Sequence, residues 1–433
     1  MISTKKEEKM PENEKPLKFC MVSTFYPPYN FGGDGMHIYR LSNELARRGH
    51  TVDVFYCEDS FLMLNGSRPG GDFPNHPNVK TFGLKSGKGF LSPLLTQQTG
   101  LPVFKPQIKQ ALENNGYDVI HYNNMSLIGI AALGYGPSSA VKLYTTHEHW
   151  LVCPMHVLWK YNREVCVEKN CLSCQLHGRR PPQLWRKTPM FKKMLARVDR
   201  FLSPSRFTIG KHLSMGLDVP FEHMPYFLPT PPDADHDPVE QENDGRPFFL
   251  FVGRLEEIKG VQNIIPVFRR QKQFELLIVG DGAYREELER QAADCPNIKF
   301  LGRLDQRRLR GIYRQAIAVI VPSICYETFG IIIIEAFSQK TPVITNDLGA
   351  LPEVVEDSGG GFIYTRESGL VEAMHRLADE PALRREMGIK GYEAFMKYWN
   401  EDAHLERYLG LIREIQAQRR EKLPAGKSAA AAV

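Results

Sequence analysis

The stretch AIAVIVPSICYETFGIIIIEAF, residues 316–337, carries the reading of the fold. Its opening run, AIAVIV, is apolar and rich in β-branched residues, the composition of a strand buried on both faces. Pro322 and Ser323 end that run. Thr328-Phe329-Gly330 then read as a turn into a helix, with the isoleucines 331–334 packing into the core. A glutamate stands at each end, Glu327 and Glu335, eight positions apart. On a helix that is a little over two turns. The spacing predicts that both carboxylates line a cleft while the isoleucines face inward. The alternative is a capping glutamate plus a buried salt bridge. A buried carboxylate without a donor is costly, so Glu335 needs one, such as sugar hydroxyls.

The same strand–loop–helix unit recurs in both directions. FFLFVGRL, FELLIVGDG, NIKFLGRL and TPVITND are short apolar runs bounded by Gly, Pro, Asp or Asn. LKFCMVSTF, HTVDVFY, YDVIHYN, VKLYTTHE and RFLSPS repeat the pattern in the first half. Strands alternating with helical patterns specify parallel α/β sheets. The chain has 433 residues, too many for one ordinary core. The fold class expected is α/β, with two doubly wound, Rossmann-like domains facing a cleft. Residues 17–205 form the first domain, with a cysteine-rich insertion at 150–180. Residues 206–246 connect, including the proline- and acid-rich 228–247 stretch. The second domain runs over 247–395, and a last helix over 396–420. Residues 1–16 and 421–433 are expected to be disordered.

Composition narrows the function classes. Hydrophobic residues make up 42% and charged residues 24%, with a net charge of +5. That balance does not call for nucleic acid. The N-terminus, MISTKKEEKMPENEKP, lacks the apolar core of a signal peptide, and no stretch has the roughly 18 apolar residues of a membrane span. A cytoplasmic location is expected.

Ligands of doubly wound folds bind outside the strand C-termini, so chemistry is sought on the loops there. YPPYNFGGDGMHIYRLSNELARRGHTV, residues 26–52, runs through Gly32 and Gly33 into a helix. Glycines allow close backbone approach, and a helix start offers free N–H groups to an anion. It is not the GxGxxG fingerprint, and an ordinary turn is the other reading. FVGRLEEIKG, residues 251–260, places Arg254 and Lys259 after a strand, with Gly253 at the bend. Such a pair can clamp a diphosphate or simply be solvated charge. In LLIVGDGAYREEL, Gly280, Asp281 and Gly282 leave room for a stacked ring, or form a plain tight turn. TTHEHWLVCP puts His147, Glu148 and His149 at a strand end. A histidine there can reach a substrate, though it is more often a satisfied structural group.

Taken in order, the Gly-Gly loop, GRLEEIKG, VGDG, PSICYETFGIIIIEAF and TPVITNDLGALPEVV resemble the family 4 glycosyltransferases, retaining nucleotide-sugar enzymes of the GT-B fold. The resemblance spans about residues 18–415 and is most specific over 248–365; Glu327 and Glu335 match the family's E-x7-E hallmark. It implies that Glu327 bonds donor-sugar hydroxyls and Glu335 the ribose. Arg254 and Lys259 would bind the diphosphate, helped by backbone amides around Phe329, Gly330 and Ile331. Gly32 and Gly33 would approach phosphates or acceptor. His147 matches the family's strand-tip histidine near the donor sugar. The family usually has His-Asp there, and this chain departs from it with His147-Glu148. The catalytic set implied is Glu327, His147, Arg254 and Lys259, with no catalytic metal. The partners implied are a nucleoside diphosphate sugar and a glycan, lipid-linked or small-molecule acceptor. A sugar-nucleotide epimerase or phosphorylase of the same fold is one rival. A non-catalytic nucleotide-sugar-binding or zinc-organised scaffold is the other.

Two features stand apart. Cys153, Cys166, Cys171 and Cys174 give C-x12-C-x4-C-x2-C, a spacing that suits a four-thiolate structural zinc. His149, His156 and His177 are reserve ligands, and an iron–sulfur cluster is a lesser alternative. HGRRPPQLWRKTPMFKKML, residues 177–195, interleaves Arg179, Arg180, Arg186, Lys187, Lys192 and Lys193 with aromatic and leucine residues. It reads as a solvated face, with peripheral contact to anionic lipid as the second reading.

Overall fold

The computed structural model describes residues 15–66, 69–89, 91–231 and 245–421. Most of both terminal segments expected to be disordered, and residues 232–244 of the connecting stretch, lie outside the described residues.

Two parallel sheets form. The first contains β1 (Lys18–Val22), β2 (Thr51–Cys57), β3 (Val79–Leu84), β4 (Val119–Tyr122) and β5 (Val141–Thr145). A two-stranded antiparallel hairpin, β6 (Trp159–Lys160) and β7 (Glu164–Val165), follows within residues 150–180. The first sheet then continues with β8 (Arg200–Ser203) and β9 (Phe221–His223), in the order β3-β2-β1-β4-β5-β8-β9. The sequence reading ended this domain near residue 205; the structure carries its sheet on to β9. Phe221-Glu222-His223 is too short and half-polar to read as a strand, and it pairs only because β8 offers a parallel edge.

The second sheet comprises β10 (Phe248–Val252), β11 (Glu275–Val279), β12 (Ile298–Gly302), β13 (Val319–Val321), β14 (Val343–Asn346) and β15 (Gly361–Tyr364). Its order is β12-β11-β10-β13-β14-β15. Strands covered on both faces need apolar residues throughout. Leu276, Leu277 and Ile278 of β11 are fully buried, each worth roughly 1.5–3 kcal/mol relative to exposure. In both sheets the strand order reverses beside the first strand, at β1/β4 and at β10/β13. That is the crevice where doubly wound folds take ligands.

The chain ends by crossing back. A π-helical turn, Phe395–Trp399, leads into the helix Glu401–Glu421. Leu405, Tyr408, Leu411, Ile412 and Ile415 of that helix join the core of the first domain with Phe19, Val119 and Leu143. The helix is pinned at its far end by Arg419, whose two Nη2 contacts to Asp199 are 2.7 and 2.6 Å. A second set of contacts bridges the domains directly. Glu353 accepts the backbone N–H groups of Arg206 and Phe207, and Arg206 donates to Asp357 at 2.7 Å.

Candidate active site

The loops after β1, β5, β10 and β13 face one another across a cleft of about 460 Å³. That is a size suited to a small ligand. Gly32 and Gly33 come from the loop after β1, and His147 and Glu148 from the tip of β5. Gly253, Arg254 and Lys259 follow β10; Glu327, Phe329, Gly330 and Ile331 follow β13. A Cβ added at Gly32 or Gly33 would meet nothing within 4 Å, so the backbone there stands open to a ligand. Four-fifths buried, Lys259 and Glu327 form the charged centre of the second-domain wall. Lys259 Nζ donates to Glu327 Oε1 at 2.7 Å, and Ser323 Oγ donates to the same oxygen at 2.8 Å. Burial alone would push the lysine down and the carboxylate up. The facing charges outweigh it, so Lys259 is raised and Glu327 lowered from their ordinary values. Both are charged at neutral pH. Arg254 is more exposed and pairs with Glu256 at 2.8 Å.

The helix Ile331–Ser338 begins at Gly330, whose φ of 92° is open to glycine and strained for other residues. The isoleucines divide their work. Ile333 and Ile334 are fully buried, whereas Ile331 and Ile332 line the cleft. Glu335 departs from the expectation, because it is not among the residues lining the cleft. It accepts a hydrogen bond from Tyr313 Oη at 3.0 Å. Burial raises its pKa, against the attraction of Arg40 on the first domain. Its donor is therefore a protein hydroxyl, supplied by the helix Gln306–Gln315.

Gly280, Asp281 and Gly282 are not in the cleft wall either. They stand behind it: Leu255 N–H donates to the Asp281 carbonyl at 3.0 Å. A Cβ on Gly280 would fall 1.8 Å from the Gly253 carbonyl oxygen, and one on Gly282 would fall 2.3 Å from that of Leu255. These glycines let two backbones touch. Gly280→Ala should therefore cost roughly 3 kcal/mol, a drop of about 6–12 °C in melting temperature for a domain of this size. Gly33→Ala, with open space around it, should change melting by less than about 2 °C. Thermal melts of the two variants check this.

His147 is held rather than free. Tyr226 Oη lies 2.7 Å from Nδ1 and Asn123 Oδ1 lies 2.9 Å from Nε2. An amide oxygen only accepts, so Nε2 carries the proton and Nδ1 accepts from the tyrosine. Burial lowers its pKa to about 3. Its carbonyl accepts from Thr328 Oγ1 at 3.1 Å, joining the two walls of the cleft. With both ring nitrogens occupied, its place in this structure is to brace the cleft. Asn123 and Tyr226 were missed from sequence. Asn123 had a signal, a polar residue at the end of the apolar β4, while Tyr226 had none. Beside His147, Glu148 Oε2 lies 2.8 Å from His156 Nδ1.

The zinc expectation is not supported. Cys153, Cys166, Cys171 and Cys174 border a common small pocket, and all are unpaired. Among the described residues, however, no three of His, Cys, Asp or Glu come together as a metal-holding group. The thiols have other neighbours: Tyr161 N–H donates to Cys174 Sγ, and Cys166 Sγ donates to the Glu168 carbonyl, both at 3.5 Å. Of the reserve ligands, His149 is buried beside His212, His156 faces Glu148, and His177 packs on Tyr161. In the basic stretch, Arg186 is not solvated. Its guanidinium lies between Trp150 and Trp185, 4.9 and 4.8 Å from the ring centroids. No helix among the described residues is long and apolar enough to cross a membrane.

Residues 31–223 match the family model described as Glycosyltransferase Family 4, and residues 233–394 match Glycosyl transferases group 1. The alpha-maltose-1-phosphate synthase of Mycolicibacterium smegmatis is 30% identical over 431 residues, covering 93% of this chain and 100% of that protein. An uncharacterized glycosyltransferase of Methanocaldococcus jannaschii is 25% identical over 388 residues, covering 81% and 86%. Among solved structures, the sucrose-phosphate synthase of Thermosynechococcus elongatus aligns with a TM-score of 0.68 at 22% identity, covering 93% of this chain and 100% of that one. Anabaena HepE, solved in complex with UDP and glucose, aligns with a TM-score of 0.60 at 17% identity, covering 94% and 100%. The strand order, the cleft between two parallel sheets and these matches agree: the chain belongs to the family 4 glycosyltransferases of the GT-B fold.

Proposed function

We propose that the protein transfers a sugar, with retention, from a nucleoside diphosphate sugar bound on the second-domain wall to a carbohydrate or lipid-linked acceptor on the first. The observation that carries this reading is the Lys259–Glu327–Ser323 cluster beside the helix start at Gly330, facing the cleft at the β10/β13 crevice. A cation and free backbone N–H groups side by side suit a diphosphate. A carboxylate next to them suits sugar hydroxyls, which donate to it. The UDP and glucose held by Anabaena HepE agree in kind with that ligand.

The chemistry follows from where charge develops. The bond between the anomeric carbon and the diphosphate oxygen breaks, and the electron pair stays on the diphosphate. Lys259, Arg254 and the N–H groups near Ile331 stabilise that charge from fixed positions. The acceptor oxygen bonds to the anomeric carbon on the face the diphosphate leaves, and its proton passes to the departing phosphate oxygen. Glu327 orients the donor sugar once its hydroxyls share the carboxylate with Lys259. His147 and Thr328 hold the walls in register, so donor and acceptor meet at short range.

A thermal-shift screen with UDP, GDP, ADP and their sugar conjugates tests the donor half. A ligand at 100 times its Kd should stabilise the fold by about 2.7 kcal/mol. One nucleotide series should shift melting selectively, and a Lys259→Ala variant should lose the shift. Equal melting with every nucleotide would defeat the proposal. Retention is read from the anomeric configuration of the product by NMR.

A further inference from the structure

We propose that Glu148 and His156 form the acceptor-binding pair of this cleft, and that they receive the hydroxyl face of an unphosphorylated sugar. The proposal rests on the donor occupying the second-domain wall.

The pair is built from two separate segments. Glu148 follows β5, and His156 belongs to the insertion, yet their side chains meet at 2.8 Å. Both line the cleft, with side chains 25% and 18% exposed. His156 sits at φ 75°, in the left-handed region. Its N–H donates to the Cys153 carbonyl at 3.0 Å, and its own carbonyl accepts from His149 N–H at 2.9 Å. Those bonds hold a turn that returns the imidazole to the tip of β5. Histidine tolerates that backbone better than most residues, but still at a cost. Among the described residues, Glu148 Oε1 and His156 Nε2 have no protein partner. They contrast with His147, one residue away, whose ring nitrogens are both spent.

Charge decides what the pair can receive. The lysine and arginine side chains lining the cleft, Lys259 and Arg254, belong to the second domain. The first-domain wall carries the carboxylates of Asp34 and Glu148. Asp34 is fixed by Asn124, whose Nδ2 donates to it at 3.2 Å. A phosphorylated acceptor would bring its charge against two carboxylates in a sheltered site, which repels it. Hydroxyl groups donate to a carboxylate without that penalty. The same wall supplies an apolar face. Phe31 is 37% exposed at the cleft and stacks on Phe61 at 4.6 Å, with Phe25 edge-on at 5.3 Å. A fixed aromatic face beside hydroxyl acceptors suits a sugar ring, whose C–H side is apolar. This sets the protein apart from relatives named for sugar phosphate products.

Saturation-transfer NMR on the full chain loaded with nucleoside diphosphate tests the pair without knowledge of the native acceptor. The probes are glucose, mannose, glucosamine and maltose, each against glucose 1-phosphate, glucose 6-phosphate and mannose 6-phosphate. Wild type should give signal for at least one free sugar and at least tenfold less for the phosphates. Glu148→Gln and His156→Asn should each weaken that signal tenfold or more, and Phe31→Ala should weaken it as well. Where a probe is turned over, Glu148→Gln should raise its KM tenfold and leave the donor KM within twofold. Preference for a sugar phosphate, no signal from any free sugar, or equal effects on both KM values would overturn the proposal. Calorimetry with UDP, GDP and ADP on the same samples separates the two readings. Nucleotide heat with no sugar contact overturns the acceptor pair alone. No heat with any nucleotide overturns the donor reading and this pair with it.

Discussion

Lys259→Ala should lower transfer by three orders of magnitude or more while the chain stays folded. The argument is electrostatic. Lys259 is the buried cation of the second-domain wall, held 2.7 Å from Glu327, and its raised pKa keeps it charged across the neutral range. Removing a single neutral donor from a preorganised anion site costs about 10²–10³ in rate. A full charge in a sheltered cleft is worth more, so about 4 kcal/mol of barrier is expected. Glu327→Ala should cost a similar factor for a second reason. It removes the carboxylate that takes sugar hydroxyls and leaves Lys259 without its partner. The stability cost should be smaller. Breaking a fully buried pair costs 3–5 kcal/mol, but these side chains are a fifth exposed, so about 1–2 kcal/mol is expected. Initial rates with the donor found by nucleotide screening, alongside thermal melts, measure both. Turnover within tenfold of wild type in either variant would remove these residues from the site. Lys259→Arg should not restore full rate, since a planar fork does not place charge where a compact ammonium does.

The fold was legible where strands are buried on both faces. Phe248–Val252 and, after its buried first residue, Glu275–Val279 read directly, because parallel strands between helices carry near-continuous apolar runs. Val79–Leu84 escaped notice: four of its six residues are exposed at the sheet edge, and an edge strand has no continuous apolar run. Gly361–Tyr364, the outermost strand of the second sheet, escaped for another reason: it is four half-buried residues long and opens on a glycine. Of the candidate site, charges that follow a strand were legible, such as Lys259 and Glu327, which the structure brings together in the cleft. It was not legible where partners converge from distant segments. Nothing in the sequence ties Tyr226 to His147, or Tyr313 and Arg40 to Glu335. Glu335 shows the limit of spacing arguments. Eight residues from Glu327 fix its direction on the helix, yet a neighbouring tyrosine decides where its hydrogen bond goes. The glycines of VGDG show another: a small residue that makes room for a ligand and one that makes room for a backbone look alike in sequence.

Four histidines buried together should cost the fold about 5 kcal/mol between pH 7.5 and pH 5.5. His37, His121, His147 and His404 lie together at the join of the first sheet, the last helix and the cleft, each at most 8% exposed. The His37 ring lies 5.6 Å from His147 and 5.5 Å from His404. His121 meets Tyr408 Oη at 2.9 Å and Thr145 Oγ1 at 2.7 Å, and His404 Nδ1 meets the Pro225 carbonyl at 2.8 Å. Burial pushes His121, His147 and His404 down to about 3 and His37 well below its ordinary value. Charged groups nearby do not reverse this. Glu148 raises His147 slightly, while Arg40 opposes protonation of His37 and Arg407 that of His404. The sign follows from proton uptake. Unfolded histidines titrate near 6.5 and these do not, so the unfolded state takes up protons first as pH falls. Stability is whole above about pH 6.5, declines below it, and levels off near pH 3. Each histidine contributes about 1.4 kcal/mol over the two units from 7.5 to 5.5, and four contribute about 5. His149, His212 and His223 are lowered by burial as well and add to the loss, while raised Glu335 works the other way. A loss of that size is comparable to the whole stability of many domains. Guanidinium unfolding at pH 7.5, 6.5 and 5.5 measures it, and His404→Asn, which keeps a donor for Pro225, should reduce the loss by about 1.4 kcal/mol. A midpoint that does not move over this range would mean the histidines are charged or solvated in the native state. The loss should also reach the site before global unfolding. His147 holds Thr328 through its carbonyl, and Tyr226 packs on Phe329 at 5.4 Å, so protonation here loosens the contact that keeps the two walls in register.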